Sequence, residues 1–161
     1  MCESIFLASH MSTYPPTIII RHRRENLKKC SLRGLENRLD CQFITYPSAQ
    51  VPNAQGYVLL VLDAPSLSLE DADRGILLLD ATWRHAEKMF KWIQQVPQLI
   101  YRSLPEHLRT AYPRRQEDCS DPTRGLASVE ALYAAYHILG RPTEGLLDHY
   151  HWREQFLALN Y

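Results

Sequence analysis

Two short blocks of this 161-residue chain carry side chains that could do chemistry. In Leu78-Leu79-Asp80-Ala81-Thr82-Trp83 an acidic residue closes an apolar run just before a segment of helical periodicity begins. Ligands of open α/β sheets collect at the carboxyl edge of the strands, which makes Asp80 a candidate general base or orienting carboxylate. The structural alternative is that Asp80 or Thr82 caps the helix by accepting from its free N–H groups. Ser31, after Lys28-Lys29-Cys30, follows an earlier apolar run in the same way. It either reaches the same edge or is a solvated cap in a basic turn.

Other motifs are missing, and their absence narrows the chemistry. The glycines (Gly34, Gly56, Gly75, Gly125, Gly140 and Gly145) are scattered, giving neither a G-x-G-x-x-G turn nor a phosphate loop. This disfavours Rossmann-type methyltransferases, dinucleotide enzymes and nucleoside-triphosphate hydrolases. Cys2, Cys30, Cys41 and Cys119 form no C-x-x-C pair and the seven histidines no H-E-x-x-H, so no structural metal is expected and a reduced cytoplasmic compartment fits. The apolar piece from Ile5 to Ala8 is too short for a signal-peptide core, and no stretch approaches the roughly 18 apolar residues of a membrane span.

Eighteen basic against eighteen acidic residues leave no overall charge bias toward a polyanion, so any such site must be local. Between Arg21 and Arg38 seven basic residues face only Glu25 and Glu36, an excess of five. Arg23, Arg24, Lys28, Lys29 and Arg33 of this stretch could hold RNA phosphates, giving affinity without reading sequence. The alternative is a solvated helix face.

These groups need elements to position them. Thr17 to Arg21, Cys41 to Tyr46, Tyr57 to Leu62, Ile76 to Leu79 and Leu99 to Arg102 read as strands. Their apolar runs are continuous rather than alternating, as in a sheet covered on both faces. Leu27 to Arg38 and Ser68 to Arg74 read as helices or turns, the latter opening on a Ser68/Asp71 capping box. A helix is expected over Thr82 to Val96, with Trp83, Ala86, Phe90 and Ile93 on its apolar stripe. Two more helices are expected, Leu126 to Leu139, stopped by Gly140 and Pro142, and about Thr143 to Asn160. The chain thus divides into an irregular leader (1–16), an α/β sheet lobe (17–103) with a largely parallel sheet, and a helical C-terminal lobe (104–161).

Taken in order, Lys28-Lys29-Cys30-Ser31, Leu79-Asp80-Ala81-Thr82-Trp83, Leu104-Pro105, Leu126-Ala127-Ser128-Val129-Glu130-Ala131-Leu132, and the ending with Trp152, Phe156-Leu157 and Leu159-Asn160 resemble the small-subunit rRNA aminocarboxypropyltransferase family. The blocks span nearly everything from Thr17 to the C-terminus. The D-x-T-W block is also similar to that of DTW-domain enzymes, which make the same modification on a tRNA uridine. The KKCS block and the Trp-to-Leu-Asn ending favour the rRNA branch.

The resemblance implies a SPOUT-class fold, a knotted and mostly parallel five-stranded sheet with a helical C-terminal lobe, and S-adenosylmethionine in the cleft between. It implies that Ser31 contacts the amino-acid arm of the cofactor, that Asp80 lies near the transferred group, and that Trp83 walls the pocket. Ala81, Leu104 and the stretch Arg124, Leu126 and Ala127 would hold the nucleoside, mainly through backbone groups. Arg114 and Arg115 join the candidate RNA contacts. They lie in Tyr112 to Asp118, where the chain departs from the family's Asn-Pro-Val-Asn-Tyr-Gly-like loop.

The implied reaction moves the 3-amino-3-carboxypropyl group to a uridine or pseudouridine nitrogen, whose proton a carboxylate such as Asp80 could take. On that reading Asp80→Asn cripples the rate and spares binding. No metal is expected, and RNA is the partner of a monomeric chain. The alternatives are the same transfer to tRNA, a SPOUT methyltransferase, and a non-catalytic RNA-binding assembly factor.

Overall fold

The strand Thr17–His22 (β1) is buried along its whole length, which a half-exposed sheet would not allow. In the computed structural model, which describes residues 13–113 and 125–161, it lies between Cys41–Tyr46 (β2) and Ile76–Asp80 (β4). Val58–Leu60 (β3) and Ile100–Arg102 (β5) extend the sheet to the order β2-β1-β4-β3-β5. All four pairings are parallel. Every strand therefore delivers its last residue to one edge, where His22, Tyr46, Leu60, Asp80 and Arg102 stand.

Alternation along the strands sorts the apolar side chains between two covers. Ile18, Ile20 and Leu77 pack with Met89 and Ile93 of the helix Trp83–Ile93 (α1). Ile19 and Leu78 pack on the opposite face with Val129, Leu132 and Tyr136 of Ser128–Ile138 (α2), and with Phe156 of Arg153–Asn160 (α3). Asp80 and Arg21 share the parity of Leu78 and Ile19, so both point toward the α2 face. They are also directly opposed in the β1–β4 register. Strand geometry alone thus brings a carboxylate and a guanidinium together beside the start of α2.

Of the two readings left open for Leu27 to Arg38, the structure holds consecutive turns. The Asn26 side chain accepts from the Lys28 N–H, and Gly34 sits at φ +93°, a backbone region that favours glycine. Leu32 and Leu35 still anchor the segment in the core, whereas Leu27 is 56% exposed. The predicted stripe of α1 is rotated: Met89 and Ile93 face the sheet, and Trp83 is 57% exposed. Of the expected helix from Thr143 to Asn160 only α3 forms, because residues 144–152 run as turns with Gly145 at φ +81°. The Ser68/Asp71 capping box closes a short 3-10 helix, Leu69–Asp71. Of the leader, Tyr14 is packed, its ring 3.8 Å from the Arg141 guanidinium carbon.

Candidate active site

Asp80 is the hub of the carboxyl edge. It is 5% exposed, and side chains from three segments converge on it. Arg21 Nε donates to Oδ2 at 3.2 Å, the Cys30 thiol donates to the same oxygen at 3.2 Å, and Ser128 Oγ donates to Oδ1 at 2.8 Å. Arg21 also donates to Glu36 Oε1 at 3.1 Å and lies over the Phe43 ring at 4.6 Å. A buried ion pair of this kind holds its shape because losing either partner strands the other charge. The capping alternative for Asp80 and Thr82 is not what the structure holds: no side chain of its N-cap residue caps α1, and Asp80 turns toward α2.

Asp80 opens onto a cleft of about 580 Å³. Glu25, Ser31, Ala81, Trp83, Ala127 and Ser128 are among its walls. Glu25 comes from the turn after β1, and its Oε1 accepts from the Thr82 N–H at 3.0 Å. Ser31 reaches the cleft, but its Oγ accepts from the Val129 N–H at 3.2 Å, tying the KKCS turn to the start of α2. The Ala127 N–H is committed to Glu130 Oε2 at 2.8 Å. His85 also lines the cleft, stacked on His22 with ring centroids 3.9 Å apart.

A second, apolar cavity of about 170 Å³ holds Leu104 and Leu126, with Leu60, Leu78, Pro105 and Ala131. Gly125 and Leu126 line this cavity while Ala127 and Ser128 line the larger one, so a single stretch of chain borders both. The cofactor residues predicted from sequence therefore separate into a polar group around Asp80 and an apolar group around Leu104. Arg124, Arg114 and Arg115 lie outside the described residues, as does the loop beyond Pro113.

Burial and the neighbouring charges set the protonation of the site. Burial, then the charge of Asp80, pushes the Cys30 thiol up to about 12, so it stays a protonated donor. Burial, then Asp80, also raises Glu25 above the usual carboxylate value, against the opposing pull of the Thr82 N–H and Arg21. Burial lowers His22, and His85, Arg24 and Arg23 add to the effect.

Arg23, Arg24, Lys28, Lys29 and Arg33 are exposed on the turns after β1, and Lys29 lines the cleft. Arg21, counted in the basic stretch by sequence, is instead an internal partner of Asp80, and Arg38 is paired with Asp40 at 2.8 Å. Among the described residues no group of three or more His, Cys, Asp or Glu side chains could hold a metal ion. No described helix is long and apolar enough to cross a membrane.

No family model matches the chain, and no curated protein does. A solved structure similar to it is that of the SAM-dependent rRNA:acp-transferase Tsr3 from Vulcanisaeta distributa. The identity is 22%, the match covers 90% of this chain and 78% of that one, and the TM-score is 0.67. The two chains share a fold. Among its described residues this chain has an α/β arrangement of a five-stranded parallel sheet and three α-helices.

The structure brings Asp80, Ser31 and Trp83, singled out from the sequence, to one cleft, and adds groups that the sequence reading did not name. Glu25 lies in a run of charges, and nothing local signals its reach to Thr82, 57 residues on. Arg21 and Asp80 could have been paired by aligning the ends of two predicted neighbouring strands. Glu130 stands three residues after Ala127, half of a capping box, which is a readable signal.

Proposed function

We propose that this chain transfers the 3-amino-3-carboxypropyl group of S-adenosylmethionine to a uridine or pseudouridine nitrogen in small-subunit ribosomal RNA. The observation that carries this reading is the cleft where Asp80 and Glu25 meet the start of α1, at the carboxyl edge of a parallel sheet. The fold shared with an SAM-dependent rRNA:acp-transferase supports it. With it go the SPOUT class and its trefoil knot, a two-lobe division near residue 103, a monomeric state, and a place in ribosome biogenesis in the cytoplasm.

The residues present fit the donor. When bound, S-adenosylmethionine supplies a sulfonium whose three carbon neighbours are all electrophilic. Asp80 gives the cation a carboxylate. The N-terminus of α1, which has no side-chain cap, suits the anionic end of the amino-acid arm. Ser31 and Trp83 line the same cleft, and Ala81, Leu104, Leu126 and Ala127 complete the binding set, with the apolar cavity for the nucleoside; Arg124 is assigned to this set from the sequence resemblance alone. The walls select the product by deciding which carbon faces the nucleophile in line with sulfur.

The three donors on Asp80 favour the orienting role over the proton-accepting one. Its charge complements the sulfonium, which is cationic before transfer and neutral after it, so Asp80 acts mainly on donor binding.

Donor labelled separately in the methyl and carboxyl carbons, incubated with RNA from a strain lacking this chain, tests the proposal. Carboxyl label is expected in the RNA and methyl label is not. Methyl label in RNA would refute the reading in favour of a methyltransferase, and carboxyl label confined to the tRNA fraction would move the target. Donor that fails to bind while RNA still does would favour the assembly factor.

The exposed cations Arg23, Arg24, Lys28, Lys29 and Arg33 are assigned to RNA phosphates. Replacing Arg23 and Lys28 with alanine is expected to lower the slope of log affinity against log salt by about 1.4, roughly 0.7 per single-strand phosphate contact. Filter binding across a salt series measures it, and an unchanged slope returns these residues to a solvated surface.

A further inference from the structure

We propose that Glu25, and not Asp80, accepts the imino proton of the target base. This rests on the reading of the cleft as an aminocarboxypropyl-transfer site and names the proton acceptor within it.

The N–H of Glu25 donates to the carbonyl of His22 at 2.9 Å, which folds the chain back over the end of β1. The side chain then spans the edge of the sheet to Thr82 at the start of α1, and shares the cleft with Asp80. Only one of its oxygens is engaged: Oε1 takes the Thr82 N–H, and no described residue donates to Oε2. Asp80 differs on each count. Both of its oxygens accept from side chains, Oδ2 from two of them.

A general base needs a lone pair aimed at the substrate and must take the proton without disrupting its own supports. Protonating Asp80 would break the buried ion pair with Arg21 and leave the guanidinium only the half-exposed Glu36 as an anionic partner. Protonating Glu25 at Oε2 leaves the Thr82 contact on Oε1 in place. Burial and then Asp80 raise the pKa of Glu25 against the opposing pull of the Thr82 N–H and Arg21; the cations Lys29 and Arg84, and His85, also line the cleft. A carboxylate raised in this way holds a proton more readily than an ordinary one.

The step then balances. The nitrogen–carbon bond forms between the base nitrogen and the terminal carbon of the aminocarboxypropyl arm. The sulfur–carbon bond breaks with its electron pair remaining on sulfur, which becomes a neutral thioether. Glu25 Oε2 takes the imino proton.

Glu25→Gln keeps an oxygen that can accept from the Thr82 N–H and removes the base. Single-turnover transfer of carboxyl label from saturating S-adenosylmethionine to small ribosomal subunits of a deletion strain reads the rate, and calorimetry reads donor affinity. The rate is expected to fall about 100-fold or more, as for loss of a general base, with affinity within threefold of native. In the native chain the rate should fall as pH drops through the raised Glu25 pKa, because the protonated acid accepts nothing, and that acid limb should vanish in the variant. A variant rate within threefold of native, or an acid limb that persists, overturns the assignment. So does a loss of affinity as large as the loss of rate, which would make Glu25 a brace for the turn at residues 80–82. If the native chain itself transfers no carboxyl label, the reading of the function falls and this inference falls with it.

Discussion

Asp80→Asn should raise the donor concentration needed for half-maximal transfer by about 10- to 100-fold and leave the rate at saturation within a few-fold of native. Two unit charges about 5 Å apart at an effective dielectric near 20 interact by roughly 3 kcal/mol, and Arg21 on Oδ2 offsets part of that for an incoming cation. One to three kcal/mol of lost donor binding is what remains, or about one to two powers of ten. This reverses the expectation from sequence alone, that the substitution would cripple the rate and spare binding. The difference arises from the three donors that hold Asp80, which no local pattern announces. Donor titration with carboxyl label at fixed RNA decides between the two. A normal half-saturation point with a collapsed maximal rate would restore Asp80 as the base.

Glu130→Ala is expected to be the most damaging single substitution to stability. The side chain is fully buried and accepts from Thr110 Oγ1, the Ala111 N–H, the Ala127 N–H and the Tyr150 hydroxyl, all at 2.7–2.9 Å. Truncation orphans two backbone donors and leaves a void, a loss of about 3–5 kcal/mol. That is a large share of the roughly 5–15 kcal/mol that holds a domain together. Urea denaturation measures it, and a loss below about 1 kcal/mol would mean that water replaces the carboxylate. Tyr150→Phe, which removes one donor and strands no backbone group, should cost only about 1 kcal/mol.

The sheet was legible because its signal is local: five continuous apolar runs, each within a few residues of the observed strand. The parallel arrangement followed from the reading of strands that alternate with helices. For the segment from Leu27 to Arg38 the sequence left helix and turn both open, and Asn26 and Gly34 carry the turn geometry that prevails. Trp83 carries two readings in the sequence, as part of the apolar stripe of α1 and, through the resemblance, as a pocket wall; it is 57% exposed and lines the cleft. Asp80 could be found because a carboxylate ending an apolar run is anomalous. Glu25 could not, since its role depends on a partner 57 residues away across a crossover between strands.

The thiol at Cys30 has a further consequence. A sulfonium donor is an alkylating agent, and a thiolate beside it would be a better nucleophile than any nucleobase nitrogen. Burial and the neighbouring Asp80 push this thiol up to about 12, and its hydrogen is directed onto the Asp80 carboxylate. The intact mass of the chain should therefore not increase during long incubation with donor alone. On the proposed function, the contact that orients the carboxylate also holds the sulfur as a protonated donor and so guards the protein against labelling itself.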